Sequence, residues 1–483
     1  MRRRLFPLGG VAQRSVGRLA RARTSTHLAA YTSNPALERW TSGDVYEPTR
    51  LPIDEASTLP GDVYSDATFH KLEKERLFAS SWVAVAELCD ISSPGDVTPS
   101  QVADSPIILA NYKGSIRAFH NVCSHRAAKL VHEKCSKRKT ILCPYHRWGY
   151  SLDGRLMGTP SFDADENGKS VPEGLRDKFK THHVKNFDKA SMGLKPVRVE
   201  CAFGLAFVNL NGEAPPLREW LGDLVPWLED YEEALKCGEL IGTHRKSYDI
   251  AANWKLLIEN FLEYYHLPAV HPALCDVSGV DEHQRFQGRG CYMGFATHPL
   301  TKGGTAIDPG RLPPFPPIRA HRHQSAYHIS IFPNVFFSLY PDAFFRVRLA
   351  PSATDPNRTI EHATLQTHKG ALEAPDSEKI LQEIFEFWDN VNAEDIAICE
   401  NVQQGVSSPG YTRGRFSFRF EEPLHRFQNM VIDKMIGEEE VRYRVPEGDV
   451  ETTFVDLPER RVEDLPVRKA SSVQHEAAMH MTA

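Results

Sequence analysis

Long apolar runs are missing from this 483-residue chain: none approaches the 18 residues of a membrane span, and the best are stretches such as Pro106 to Ala110. Internal repeats and phosphate-binding glycine loops are also missing, and no flavin or nicotinamide site is evident. Cysteine is scarce: nine, an odd number, lie between Cys89 and Cys399, which argues for a reduced interior rather than a disulfide framework. The first thirty residues lack lysine and acid altogether, yet hold seven arginines (Arg2, Arg3, Arg4, Arg14, Arg18, Arg21 and Arg23). Without them, 50 basic residues face 63 acidic ones, a net charge of −13. So acidic a body argues against a nucleic-acid partner. What remains is an ordinary globular composition, 41% hydrophobic and 25% charged, on a chain long enough for at least two domains.

The arginine-rich front reads as an organellar presequence over residues 1–30, with a mitochondrion expected and a plastid the alternative. A secretory signal would need a longer apolar core than Leu5 to Val11 provides. A basic tail is the plainer reading of the same residues.

Two cysteines carry a histidine at short spacing: Cys123-Ser124-His125 and, seventeen residues on, Cys143-Pro144-Tyr145-His146. One zinc could take all four, although closed zinc sites mostly use C-x2–4-C knuckles. A two-iron, two-sulfide cluster could instead put both thiolates on one iron and both imidazoles on the other. The Asp153-Gly154 turn that follows, between alternating residues, predicts a hairpin beside the second loop. Cys135 reads as a surface residue of the segment between the loops.

Residues 253–266 place Trp254, Leu257, Ile258, Phe261, Leu262 and Tyr265 on a helical stripe with Asn253 as N-cap. Pro268 and Pro272 stop this helix, setting His266 on its last turn and His271 in the loop beyond. On one continuous helix these histidines would point about 140° apart; the broken end lets both reach one metal. Glu263 is expected on the face of His266. A later helix through Ile380–Val402 puts Asp395 on its apolar line with Ile384, Trp388, Val391, Cys399 and Val402, while Glu394 falls about 100° away. Two imidazoles and one carboxylate make a facial triad for ferrous iron.

Together these patterns resemble the catalytic (alpha) subunit of the Rieske non-haem iron oxygenases over about residues 45–460. Cys123-Ser124-His125-Arg126 and Cys143-Pro144-Tyr145-His146-Arg147-Trp148 follow the two ligand boxes, except that Arg147 stands where the family's box usually has Gly. Asn253-Trp254-Lys255 through His271 resembles the iron-binding helix box, and Glu394-Asp395 through Gly405 the late helix. The resemblance implies a [2Fe–2S] cluster on Cys123, His125, Cys143 and His146, and a mononuclear Fe(II) on His266, His271 and Asp395. It further implies that Glu263 links the iron site to a cluster histidine of a neighbouring subunit, hence a homotrimer. The cluster potential expected with two imidazole ligands is about −150 to +300 mV.

The implied fold is α+β: an all-β Rieske domain over 61–210, then a catalytic domain over 211–460 with an antiparallel sheet flanked by helices, helix-grip-like. A lead-in over 31–60 and a tail over 461–483 complete the expected organisation. Electrons come from a separate ferredoxin or reductase, for which Lys134, Lys137, Arg138 and Lys139 are the candidate landing patch. The Glu at position 263, the arginine-rich presequence and the overall motif wording resemble members acting on choline or glycine betaine, and the aromatic supply of residues 291–345 could cage a trimethylammonium group by cation–π attraction. That makes O2-dependent hydroxylation beside a quaternary nitrogen the expected reaction. Aromatic-ring hydroxylation and other N- or O-demethylation are the alternatives within the family, and a Rieske electron carrier without oxygen chemistry the alternative outside it.

Overall fold

A computed structural model describes residues 35–160, 162, 184–231, 240–275, 280, 283–297, 307–308, 310–438 and 445–449. The presequence and tail expected at residues 1–30 and 461–483 lie outside them. The strands are β1 Val83–Glu87, β2 Val97–Val102, β3 Ser105–Tyr112, β4 Ser115–His120, β5 Thr140–Leu142, β6 Gly149–Ser151, β7 Leu156–Gly158, β8 Pro196–Ala202, β9 Leu205–Asn209, β10 Leu240–Ile250, β11 His283–Gln287, β12 Tyr292–Thr297, β13 Ala326–Ile331, β14 Val335–Leu339, β15 Phe344–Pro351 and β16 Thr359–His368. They form an antiparallel six-stranded sheet (β1-β9-β8-β4-β3-β2), a small sheet (β5-β6-β7) and an antiparallel seven-stranded sheet (β10-β16-β15-β14-β13-β12-β11). The first two make the amino-terminal β module and the third the catalytic half.

Two apolar cores separate the functions. Val97, Ile108, Phe119, Ile141, Trp148, Tyr150 and Leu156 pack around Cys123 and Cys143 in one. The other holds the seven-stranded sheet, its helices Trp254–Phe261, Ser377–Val406 and Glu422–Ile436, and the opposite side of the six-stranded sheet, including Val83, Ile107, Leu109 and Phe207. Strands β12, β13 and β14 are buried along their whole length, as expected for a sheet covered on both faces.

The segment before the β module is more than a lead-in. Trp40, Tyr46 and Tyr64 are buried in the catalytic core, Trp40 Nε1 donates to Asp66 at 2.9 Å, and Arg50 donates to Asn429 Oδ1 at 3.0 Å. From residue 35 the chain therefore packs on the catalytic half, leaves it to build the β module, and returns. Apolar burial of three large rings fixes a stretch whose first part is expected from sequence only as a lead-in.

Candidate metal centres

The two ligand loops of the β module share one backbone design. Cys123 N donates to Ala128 O at 2.9 Å and Ala127 N to Cys123 O at 3.0 Å; Cys143 N donates to Trp148 O at 2.8 Å and Arg147 N to Cys143 O at 3.1 Å. In each loop the fourth residue after the cysteine is left-handed, Ala127 at φ 57° and Arg147 at φ 60°. That conformation favours glycine, which explains why a glycine would suit position 147 and why arginine there is a departure with a cost. The second loop closes the β5–β6 hairpin, and the Asp-Gly turn joins β6 to β7 with Gly154 at φ 89°.

Cys123, His125, Cys143 and His146 converge at the tips of these loops. The histidine rings lie 4.7 Å apart edge to face, and Trp148 stacks on His125 at 4.7 Å. Tyr150 Oη sits 3.2 Å from Cys123 Sγ and accepts from Ser124 N at 3.1 Å. The Nδ1 atoms of both His125 and His146 are buried without a hydrogen-bond partner. Two orphaned imidazole nitrogens beside two buried thiols fit a cluster that takes two sulfur and two nitrogen ligands. Cys135 is partly buried and pairs its backbone with Val97 as an isolated bridge, outside the ligand loops.

In the catalytic half, the metal helix ends earlier than its periodicity suggests. Asn253 caps it, its Oδ1 accepting from Lys255 N at 3.0 Å, and the helix closes at Phe261. Lys255 Nζ reaches Glu73 Oε1 at 2.6 Å in full burial, which anchors the helix to the amino-terminal segment. His266 is not on a last turn. It is the N-cap of a four-residue helix, Leu267–Val270, whose second position is Pro268. Proline lacks an N–H that the first turn does not need, so it starts this turn rather than only stopping the previous one. Tyr265, expected on the apolar stripe, is consequently 63% exposed.

His266, His271 and Asp395 come together, with one ligand atom from each within 4.8 Å of the others. Asp395 Oδ1 lies 2.8 Å from His271 Nε2 and 3.5 Å from His266 Nε2. The opposite ring nitrogens are held by carboxylates: His266 Nδ1 by Glu263, and His271 Nδ1 by Glu394 Oε2 at 2.7 Å. Both imidazoles thus turn Nε2 toward one point, the tautomer that a carboxylate partner selects. Glu263 also accepts from the backbone N–H of His266 at 3.2 Å, so it braces the turn as well as the ring. Burial works against charging His266, but Asp395 and Glu263 outweigh it and hold its pKa up to about 9. Burial likewise opposes the Asp395 carboxylate, and the two histidines overcome it, holding its pKa below the ordinary value. A dication satisfies the same geometry without protons.

Glu394 is the residue that sequence reasoning missed. The helical wheel places it off the apolar stripe, and its side chain is indeed half-exposed; the long helix Ser377–Val406 carries it next to Asp395, where its reach spans the angular gap. The usable signal was the rule that a ligand histidine needs a partner for its second nitrogen. Val402, assigned to the same stripe, is 40% exposed, and Gln403 and Val406 occupy the buried line instead.

Comparison with known proteins agrees with this architecture. Residues 81–186 match the Rieske [2Fe-2S] domain and residues 238–437 the ring hydroxylating alpha subunit (catalytic domain). The chain is 27% identical over 362 residues to the carnitine monooxygenase oxygenase subunit of Acinetobacter pittii, covering 74% of this chain and 87% of that protein. It is 26% identical over 457 residues to the glycine betaine monooxygenase oxygenase subunit of Pseudomonas aeruginosa (84% and 98%), and 27% over 398 to chloroplastic choline monooxygenase of Arabidopsis thaliana (78% and 83%). A crystal structure of a quaternary ammonium Rieske monooxygenase superposes with a TM-score of 0.65 at 25% identity, over 82% of this chain and 98% of that one. Naphthalene 1,2-dioxygenase of Rhodococcus, at 19% identity and a TM-score of 0.63, shares the fold. The chain belongs to the Rieske non-haem iron oxygenases, as their catalytic alpha subunit. Its cofactors are a [2Fe–2S] cluster and a mononuclear iron, and it is an oxygenase rather than a carrier alone.

Proposed function

We propose that the chain hydroxylates a carbon next to the nitrogen of a small quaternary ammonium compound. The step consumes one dioxygen, two electrons and two protons per substrate and yields the hydroxylated product and one water. The convergence of His266, His271 and Asp395, each imidazole locked by its own carboxylate, is the observation that carries the oxygenase reading. Iron bound there supplies oxygen activation; Cys123, His125, Cys143 and His146 hold the relay that feeds it. Glu263 orients His266 and is the residue through which an electron enters the site.

The relatives that bear on the substrate are named for carnitine, glycine betaine and choline. Aromatic faces crowd the metal helix in keeping with that: Phe336 stacks on Phe261 at 4.3 Å, Phe295 lies 5.2 Å from Tyr264, and His328 stacks on Phe295 at 4.8 Å. Burial and then the neighbouring His283 push the His328 pKa down to about 3, so this ring stays neutral and does not repel a cation. The test is oxygen uptake with a reconstituted donor across choline, glycine betaine, carnitine and simple aromatic acids. Turnover confined to the aromatic acids rejects the ammonium assignment.

A homotrimer with electron transfer between subunits completes the reading. The two metal sites belong to separate cores, and each has exposed apolar side chains near it. Leu142 and Tyr145 belong to or flank the second cluster loop and Met157 lies on β7, while Tyr265 adjoins His266, and Ile398 and Val402 line a pocket with Glu263 and His266. Two unlike patches of this kind pair head to tail and close a ring, and inter-subunit electron transfer is described for a similar quaternary ammonium Rieske monooxygenase of solved structure. A ferredoxin or reductase would meet Lys137, Arg138 and Lys139, which are exposed; Lys134 is engaged by Asp90 at 2.8 Å. Import into an organelle is inferred from the arginine-rich front, and the plant relative's chloroplastic label favours a plastid over the expected mitochondrion. Fusing residues 1–34 to a fluorescent protein decides between them by where the fluorescence accumulates.

A further inference from the structure

Register in the seven-stranded sheet builds a cationic array away from the iron. Arg346 and Arg348 of β15 lie beside Thr364 and His362 of β16, which lie beside Arg245 and Ser247 of β10. Alternate residues share a face, so three guanidiniums and an imidazole crowd one patch facing the six-stranded sheet. Two of the three are matched: Arg346 Nε meets Glu87 at 3.2 Å and Arg245 meets Asp90 at 2.6 Å. The Arg348 side chain has no ion pair or hydrogen bond among the described residues; Asp90, which with Glu87 also lines the cavity, acts on it only through its field and is itself bonded to Arg245 and Lys134. Burial lowers its pKa to about 10, which still leaves it charged at neutral pH.

Arg348 opens onto a cavity of about 490 Å³ between the two sheets. Thr98, also lining it, has a buried hydroxyl without a partner. His362 receives Ser247 Oγ on Nδ1 at 2.9 Å; burial and Arg348 keep its ring neutral, so with the serine donating, Nε2 carries a proton to give. Lys129 stands exposed at the rim. A half-buried guanidinium without a hydrogen-bonded counter-charge is costly, and its planar fork matches a carboxylate or phosphate in two parallel hydrogen bonds.

We propose that this cavity binds a small oxyanion, of the phosphate or carboxylate class, with Arg348 as its principal ligand and Thr98, His362 and Lys129 as supporting donors. The anion would bridge β2 of the β module and β15 and β16 of the catalytic half, clamping the two together at a site separate from both metal centres.

The test is calorimetric titration of the full-length holoenzyme at fixed ionic strength, with inorganic phosphate in one arm and succinate in the other. A saturable isotherm is expected in at least one arm, and the tighter one identifies the class. Arg348→Met, with its cluster absorbance intact, is expected to weaken that binding by about tenfold or more. No saturable heat from either anion, or unchanged affinity in Arg348→Met, overturns the proposal. Should that variant fail to fold, Lys129→Ala, at an exposed position, decides the matter: a loss of about threefold supports the site and unchanged affinity rejects it.

Discussion

At Arg147 a single backbone angle stores a cost that the chain carries in its cluster loop. A non-glycine residue at φ 60° sits about 1 kcal/mol above a relaxed conformation, and Arg147→Gly removes that strain at little loss of contact. The variant should melt at a higher temperature by an amount worth about 0.5–1 kcal/mol, with the cluster's visible spectrum unchanged. Glu394 makes the second residue-scale prediction. Replacing it by Gln keeps the shape but weakens the hold on His271 Nδ1, and iron affinity should fall about 10- to 100-fold. Chelator competition followed by iron analysis reads this directly, with the cluster's absorbance as internal control.

Asp342 supplies the pH prediction. Burial raises its pKa from 3.8 to about 6, against the pull of the Leu312 N–H that donates to it at 3.2 Å. A carboxyl whose folded pKa lies above its unfolded one binds more protons when folded. Its contribution is therefore most favourable below pH 3.8, is lost as pH rises toward 6, and is flat beyond. Asp342→Asn should abolish this slope and stabilise the protein at neutral pH by up to about 3 kcal/mol. Thermal melts across that window check it, and an unchanged slope in the variant removes Asp342 as its source.

Among the elements, the β6–β7 hairpin carries the sharpest packing constraint. A Cβ at Gly154 would lie 2.4 Å from Phe119 Cε1, at a backbone φ of 89° that side chains rarely adopt. Gly154→Ala therefore forces either the ring or the turn to move, at a cost of about 1–3 kcal/mol, and should lower both melting temperature and cluster content on purification. The metal helix behaves differently. Its apolar period continues to Tyr265 in sequence, yet the helix closes at Phe261. Glu263, three residues before His266, captures the backbone N–H groups of Tyr265 and His266 and makes a turn the better use of those residues. Periodicity reports which side chains are apolar; it does not report which backbone donors a nearby carboxylate will claim.

For the molecule as a whole, function divides between two apolar cores that lie on opposite faces of the six-stranded sheet's strands, with Ile107 and Leu109 in one and Ile108 in the other. His146→Ala disables the relay and His271→Ala disables the iron site, so each homogeneous enzyme should be inactive. Co-expressing the two should restore a measurable fraction of turnover, because in the proposed trimer a mixed assembly pairs an intact relay with an intact iron site across an interface. Activity from the mixture no higher than from either variant alone would reject electron transfer between subunits. In His271→Ala by itself the cluster spectrum should persist while oxygen consumption coupled to product disappears.

The residues that converge at the two candidate metal centres were legible in the chain alone, because each set rests on short-range rules. Ligand type and spacing select the metal, and prolines 268 and 272 limit where a helix can run. The β-rich front and the sheet-and-helix back were legible too, through their periodicities. Tertiary packing alone puts Trp40, Tyr46 and Tyr64 in the catalytic core, sets Glu394 on His271, buries Lys255 against Glu73, and leaves the Arg348 side chain without a hydrogen-bond partner among the described residues. Each of these depends on residues tens to hundreds of positions apart meeting in a dry interior. There an unpaired charge or donor is costly, and no local pattern can say who its partner will be.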